Sequence, residues 1–323
     1  MTLAWQGKRP DWRSAGPAGV AKARAPSAPE PAHTFPSGEL FHGDNLEVLE
    51  GLARARPASV TLAYLDPPFF TGRVLRTAVA EFDDRWRDRA AYLEALASRI
   101  AVVRDLLAPH GSLVVHVDTK TSHYVKVLCD EIFGDDCFAS EIVWRYRRWP
   151  SKTPNFQRVH DVLLRYRRDA KTPPRYNVLF EPLAASTVAT WGTTKQRAVF
   201  DRDSGRRARS SSTTEPTAGV PMGDVWDIGV IAPISRERTG YPSQKPEALL
   251  SRLVHALTDP GEVVLDPYAG SGTSLAVAAR LGRRFVGVDA SETAVETARS
   301  RISRLRLETD GKAAYGTAAA RSR

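Results

Sequence analysis

The sequence predicts an α/β fold: a mainly parallel sheet with helices on both faces, interrupted by a long inserted segment. Short apolar runs rich in Val, Leu and Phe alternate with helical patterns of ten or more residues, as strands joined by crossover helices do. A strand-like run, a glycine pair and an Ala-rich helical stretch follow one another in "VVLDPYAGSGTSLAVAA" (263–279). Between 145 and 240 these periods lapse, and Arg, Ser, Thr and Pro dominate.

Residues 1–36 are rich in Pro, Ala and Arg without an apolar period, and read as a disordered tail, as do 309–323. "LFHGDN" (40–45) is a short strand closed by Gly43-Asp44, and "NLEVLEGLARA" (45–55) is a helix. "SVTLAYLDPP" (59–68) is a buried strand stopped by two prolines. "AAYLEALASRIAVVRDLL" (90–107) puts Tyr92, Leu93, Leu96, Ile100, Val103 and Leu107 at helical spacing. "GSLVVHVD" (111–118) is a strand, and "TSHYVKVLCDEIFG" (121–134) is a helix with a glycine stop. In the irregular segment only short runs such as "DVLLRYR" (161–167) are strand-like, and "RDSGRRARSSSTT" (202–214) reads as a mobile loop. A helix in "KPEALLSRLVHAL" (245–257), strand, turn and helix in 262–282, a strand in "RRFVGVDAS" (283–291) and a helix in "ETAVETARSRISRL" (292–305) complete the pattern. The expected organisation is one α/β domain from 37–144 and 241–308, with 145–240 inserted into it.

At 323 residues and 42% hydrophobic content the chain can bury a proper core. Its start lacks the roughly 7–15-residue apolar core of a signal peptide. No stretch approaches the ~20 apolar residues of a membrane span. Cys129 and Cys137 are the only cysteines and stand in unlike surroundings. Neither a disulfide framework nor a metal site is expected, and a cytoplasmic location fits. Residues 144–240 hold 18 Lys/Arg against 9 Asp/Glu, which accounts for the whole net charge of +9. So concentrated a basic segment is a footprint for a polyanion, a solvated basic loop being the plainer alternative.

In the glycine turn, Gly270 and Gly272 let the backbone bend tightly and approach a ligand at a helix N-terminus. The turn has no P-loop lysine, since Thr273 and Ser274 follow, and no third dinucleotide glycine, since Leu275 stands there. Alone it is also compatible with a structural strand–helix junction. Asp289 ends the next strand 19 residues after Gly270, where such folds set an acid against ribose hydroxyls. Asp266 adds negative charge, which disfavours a pyrophosphate and favours a cationic nucleoside; S-adenosylmethionine meets both constraints.

"YLDPPFF" (64–70) ends a strand with a carboxylate and two residues that have no N–H. Asp66 and the carbonyls beside it offer only acceptors, so their partner is a donor such as an amine. Phe69 and Phe70 supply an apolar wall on which a planar base would stack. The amine of adenine or cytosine is a poor nucleophile because its lone pair is delocalised into the ring. Two acceptors on its hydrogens localise that pair, and in-line positioning supplies on the order of 7–11 kcal/mol of the barrier. A strand stop followed by core aromatics is the alternative for this motif taken alone.

Together these residues resemble the DNA amino-methyltransferases of the N-4/N-6 family. "LDPPF" resembles their D/N/S-P-P-Y/F motif and "LDPYAGSGT" their D-P-F-x-G-S-G-T motif. Here the catalytic motif comes first, the permuted order of the β group. "FHGDNLEVL", "EIVWRY", "ERTGYPSQKPEALL" and "RRFVGVDAS" match too, so the resemblance spans 40–145 and 224–306. It implies a circularly permuted, Rossmann-like class I methyltransferase fold with an inserted target-recognition region at 145–240. It implies that Asp66, Pro67, Pro68 and Phe69 hold and stack the target base. Asp266, Pro267, Gly270, Ser271, Gly272 and Thr273 would surround the cofactor's methionine part with Lys245 nearby, Asp289 would take its ribose, and Asp44 would lie near its adenine amine. Phe69 departs from the commoner Tyr, which keeps stacking but loses a hydroxyl contact. In the inserted region Arg145, Arg147, Arg148, Trp149, Arg165, Arg167 and Arg168 interleave cations with an aromatic, which suits phosphate contact and base stacking on double-stranded DNA.

The expected activity is methyl transfer from S-adenosylmethionine to adenine N6 in a flipped-out base. Asp at the first motif position favours adenine over cytosine N4, which is the nearest alternative. A silent DNA-binding protein that keeps the fold is a further one. A homodimer and a cognate restriction endonuclease stay open. His116 and Asp118 read as strand-end residues rather than as a metal pair, and neither cysteine has the preceding Pro of a cytosine-C5 nucleophile.

Overall fold

The two apolar strands that lead into Asp66 and Asp266 lie side by side in the middle of a nine-stranded sheet. A computed structural model of the chain describes residues 28–77, 80–150, 152, 154–195, 198–200, 207–209 and 215–311. Most of both proposed tails (1–27 and 312–323) and most of the run 202–214 lie outside these residues.

The strands are β1 (His33–Phe35), β2 (Gly38–His42), β3 (Val60–Leu65), β4 (Leu107–Val117), β5 (Phe138–Arg145), β6 (His160–Arg167), β7 (Val225–Asp227), β8 (Val263–Asp266) and β9 (Arg284–Asp289). Their order across the sheet is β1-β2-β9-β8-β3-β4-β6-β5-β7. From β2 to β4 the neighbours are parallel, whereas β6 runs antiparallel to both β4 and β5. All six residues of β3 are buried, as a parallel strand covered on both faces requires.

Among the described residues six helices cover the sheet: α1 (Asn45–Ala55), α2 (Arg89–Leu106), α3 (Ser122–Phe133), α4 (Glu247–Leu257), α5 (Thr273–Arg280) and α6 (Glu292–Gly311). The first three share one apolar layer with Phe41, Ala63, Leu65, Val115, Val286 and Val288. The last three pack together on the opposite face, where α5 meets β8 and β9. Sequence chemistry sets several of their ends. Asp44 and Asp88 cap α1 and α2 by accepting from Leu46 N and Ala91 N, each at 2.8 Å. Gly134 closes α3 with φ +97°.

Two boundaries differ from expectation. His33–Phe35, assigned to the tail, pairs with Gly38–His42 as an edge strand. The inserted segment 145–240 is not one appendage, because β6 and β7 belong to the main sheet. Val162, Leu163, Leu164 and Tyr166 of "DVLLRYR" are fully or almost fully buried between β4 and β5. A separate compact unit spans Val178–Gly223. It contains the helix Ala185–Trp191 and two short antiparallel pairs, Phe180–Glu181 with Val220–Pro221 and Ala198–Phe200 with Arg207–Arg209.

Behind the glycine turn, Glu247 at the start of α4 accepts from Arg280 of α5 (2.6 Å) and Arg301 of α6 (2.7 Å). Burial alone would raise the Glu247 carboxyl, but the hydrogen bonds from Arg301 and Arg280 hold it below the usual range. Glu247→Gln should destabilise the chain by about 2–3 kcal/mol at pH 7, because it strands two partly buried guanidinium groups. A depressed carboxyl stabilises the fold above its unfolded pKa and loses that contribution as pH falls through its folded value. Urea unfolding of both proteins from pH 7 down to pH 3 should therefore show the gap close in acid.

Candidate active site

Asp44, Asp66, Asp118, Asp266 and Asp289 end or follow β2, β3, β4, β8 and β9, so five acids stand at the carboxyl edge of the parallel strands. That is where open α/β sheets bind ligands. A cleft of about 390 Å³ opens there, lined among others by Asp44, Asp66, Phe69, Lys245, Asp266 and Asp289.

Pro67 and Pro68 carry the chain off the sheet, and the turn that follows is forced. Phe70 has φ +56°, a left-handed conformation that costs a bulky residue energy unless its surroundings hold it. Asp84, almost wholly buried, holds it by accepting from Phe70 N (3.0 Å), Thr71 N (2.8 Å) and Trp86 Nε1 (3.2 Å). The turn sends the Phe70 ring into the core, 5.6 Å from Tyr92. Of the two phenylalanines expected to form the wall, only Phe69 lines the cleft. Its centroid lies 5.5 Å from His116 and 5.1 Å from Lys245 Nζ.

The Asp66 carboxylate has two unlike oxygens. Oδ2 accepts from Lys245 Nζ, 179 residues away in sequence. Oδ1 is buried without a hydrogen-bond partner, 3.7 Å from His116 Nδ1. His116 is wholly buried, 2.9 Å from the Tyr64 hydroxyl and 3.6 Å from Asp161 Oδ2, with the Trp144 ring edge-on at 5.5 Å. Lys245, expected beside the cofactor's methionine part, bonds Asp66 and lines the same cleft as Asp266, Gly270 and Thr273. Sequence reasoning also missed Asp84 and Asp161; the acids stand next to Arg85 and His160 with no spacing that marks them.

The glycine turn holds as its residue types demand. Gly270 and Gly272 have φ +50° and +71°, and a Cβ on Gly272 would sit 2.7 Å from Ala298 Cβ of α6. Asp289 accepts from Gly270 N (2.8 Å) through one oxygen and from Ser291 N (2.9 Å) through the other. Asp266 accepts from Tyr268 N (3.0 Å) and Ser274 Oγ, and burial, with Asp66 and Asp289 nearby, pushes its carboxyl up to about 7. Burial raises Asp289 as well.

The remaining cofactor candidates are engaged with the scaffold. Pro267 O accepts from Asn45 Nδ2 (2.8 Å), and Thr273 Oγ1 accepts from Arg301 (2.9 Å) and lies 3.3 Å from Ser271 Oγ. Asp44 caps α1 and pairs with Arg99 (2.9 Å), while still lining the cleft. Gly272 is buried behind it.

The seven basic-segment residues do not form one surface. Arg145, Arg147, Arg148 and Trp149 are exposed where β5 leaves the carboxyl edge, although Arg145 is paired with Asp227 (2.6 Å). Arg165, Arg167 and Arg168 are a correction. Because β6 runs antiparallel, they lie beside Gly111–Val114, toward the opposite edge. Arg165 is 8% exposed, with its guanidinium 5.0 Å from the Tyr176 ring centroid. Arg167 donates to Asp136 O (2.6 Å).

Known proteins resemble the chain over most of its length. The model of a family described as DNA methylase (N6_N4_Mtase) matches residues 60–300. The DNA adenine methyltransferase YhdJ of Escherichia coli is 30% identical over 252 residues, 77% of each chain. The type II methyltransferase M2.DpnII of Streptococcus pneumoniae is 44% identical over 275 residues, 81% of this chain and 88% of that one. The structure of the PvuII cytosine-N4-specific DNA methyltransferase shares the fold, with a TM-score of 0.57 at 18% identity over 85% of this chain and 90% of that one.

The Asp84 clamp gives a test. Asp84→Ala should cost about 2–3 kcal/mol in a denaturant melt, because it leaves three buried or half-buried donors unmet. The released turn should also move Phe69, read as a changed tryptic cleavage pattern at Arg73.

Proposed function

The chain belongs to the DNA methylase family, and from that premise we propose that it transfers a methyl group from S-adenosylmethionine to the exocyclic N6 of adenine in DNA. The observation that carries this reading is Asp66, which lines the same cleft as Asp289 and the glycine turn and whose Oδ1 is buried without a hydrogen-bond partner. A buried carboxylate oxygen left unmet is costly, and an amine hydrogen meets it.

The amine donates one hydrogen to Asp66 Oδ1 and the other to the Pro67 carbonyl, which draws its lone pair out of the ring. Phe69 stacks on the base and Pro68 stiffens the spur. Lys245 on Oδ2 keeps the carboxylate oriented. As the nitrogen gains positive charge, Asp66 lies against it and takes its proton.

The cofactor supplies an electrophilic methyl on a sulfonium. The chain fits it with a glycine turn at a helix N-terminus and a cluster of carboxylates for the cation. Each oxygen of Asp289 keeps a second lone pair for a ribose hydroxyl, and Asp44 faces the adenine end. The target base leaves the duplex to reach Asp66. The basic segment 145–240, with the unit Val178–Gly223, reads the flanking sequence. Asp at position 66 and the adenine activity in the name of the E. coli relative support adenine over cytosine.

The test incubates the wild type and Asp66→Ala with unmethylated mixed-sequence DNA and methyl-labelled cofactor, then identifies nucleosides by mass spectrometry. N6-methyladenine should form, falling at least ~100-fold in the variant while cofactor affinity stays within about threefold. N4-methylcytosine instead would overturn the base assignment, and no labelled nucleoside would overturn the proposed activity.

A further inference from the structure

We propose that the arm joining β5 to β6 carries an aromatic wedge, Phe156 with Trp149 beside it, that enters the duplex and fills the gap left by the extruded base. This rests on the chain acting on DNA as proposed above.

The two described limbs of the arm are tethered. Tyr146 N donates to Val159 O (2.8 Å) at its base, and Gln157 Nε2 donates to Trp149 O (2.7 Å) across it. Arg158 is anchored on Asp118 (2.6 Å), which follows β4. On this braced segment Trp149 is 93% and Phe156 99% exposed. Isolated exposed rings are ordinary. Here both belong to one arm, Trp149 at one end of the bond that crosses it and Phe156 next to the other, and both faces of each ring are open to a partner.

The surroundings name the partner. "RRWPSKTPNFQR" (147–158) has four cations and no acid, so it suits phosphates. The arm's base is also joined to the catalytic carboxylate. Tyr146 OH donates to Asp161 (3.1 Å), Asp161 lies 3.6 Å from His116, and His116 lies 3.7 Å from Asp66. Phe156 is two residues from its anchor, a reach of about 7 Å, and Asp118 and Asp66 follow neighbouring strands. A base drawn out to Asp66 leaves an unstacked gap in the helix close by. A flat apolar ring inserted there restores stacking, as apolar side chains do between base steps elsewhere. Arg147, Arg148 and Lys152 hold the strands on either side.

The test uses the full chain and the sequence that the wild type methylates. Wild type, Phe156→Ala and Trp149→Ala are compared on the paired duplex and on a duplex whose target faces an abasic site. The Phe156 variant should lose roughly tenfold or more in kcat/KM on the paired duplex and less than about threefold on the abasic one. Trp149→Ala should follow the same pattern more weakly. Melting temperature and cofactor affinity should not change, since both rings face solvent. With 2-aminopurine at the target position, fluorescence should rise on wild-type binding and stay low with Phe156→Ala. Equal losses on both duplexes would make the ring a plain DNA contact and overturn the wedge, as would no loss on the paired duplex. A wild type that methylates no DNA would remove the reading beneath the wedge, and the wedge with it.

Discussion

Three carboxylates, Asp66, Asp266 and Asp289, converge on one cleft away from water, and the cost of burying acids together is the constraint around which the rest of the site is arranged. The parallel sheet makes the crowding unavoidable, because β3, β8 and β9 are adjacent and each delivers its acid to the same edge. Asp266 sits deepest and cannot shed its charge into water, so its carboxyl rises to about 7. Asp289 spends one lone pair of each oxygen on backbone N–H groups. Asp66 takes Lys245 as its counter-ion. A site built this way favours ligands that bring positive charge or amine hydrogens, and a sulfonium nucleoside and a base amine bring one of each.

The surrounding scaffold keeps that crowding in register. Asp84 fixes the strained turn at Phe70 so that Phe69, and not Phe70, lines the cleft. Gly272 lets α6 close on the glycine turn with no room for a side chain, and Asn45 ties α1 to the carbonyl of Pro267. None of these residues performs chemistry. Each sets where an acid or a ring points, which is what positioning catalysis needs.

Much of this was legible in the sequence. The apolar runs before Asp66, Asp266 and Asp289 could only be buried strands, and the glycine spacing could only be a turn. Thus the carboxyl-edge clustering followed from the fold class. Side-chain partnerships were not legible, whether 14 or 179 residues apart. Nothing local marks Lys245 as the mate of Asp66, or Asp84 as the clamp on Phe70. Strand direction was hidden as well: "DVLLRYR" reads the same parallel or antiparallel, and only the antiparallel course of β6 carries Arg165, Arg167 and Arg168 away from the site. The sign of Phe70 φ, which turns its ring from the cleft into the core, likewise depends on a contact 14 residues away.

The central claim is that crowded acids select a cation, and one comparison tests it directly. Affinities for S-adenosylmethionine and for its neutral thioether product should be measured from pH 6 to pH 8 by calorimetry, on the wild type and on Asp266→Asn. Burial pushes the Asp266 carboxyl up to about 7, so its ionised fraction rises from pH 6 to pH 8. The preference for the sulfonium should rise several-fold, roughly three- to tenfold, across that range in the wild type and stay flat in the variant. A ratio that does not change with pH in the wild type, or that rises equally in Asp266→Asn, would contradict the account.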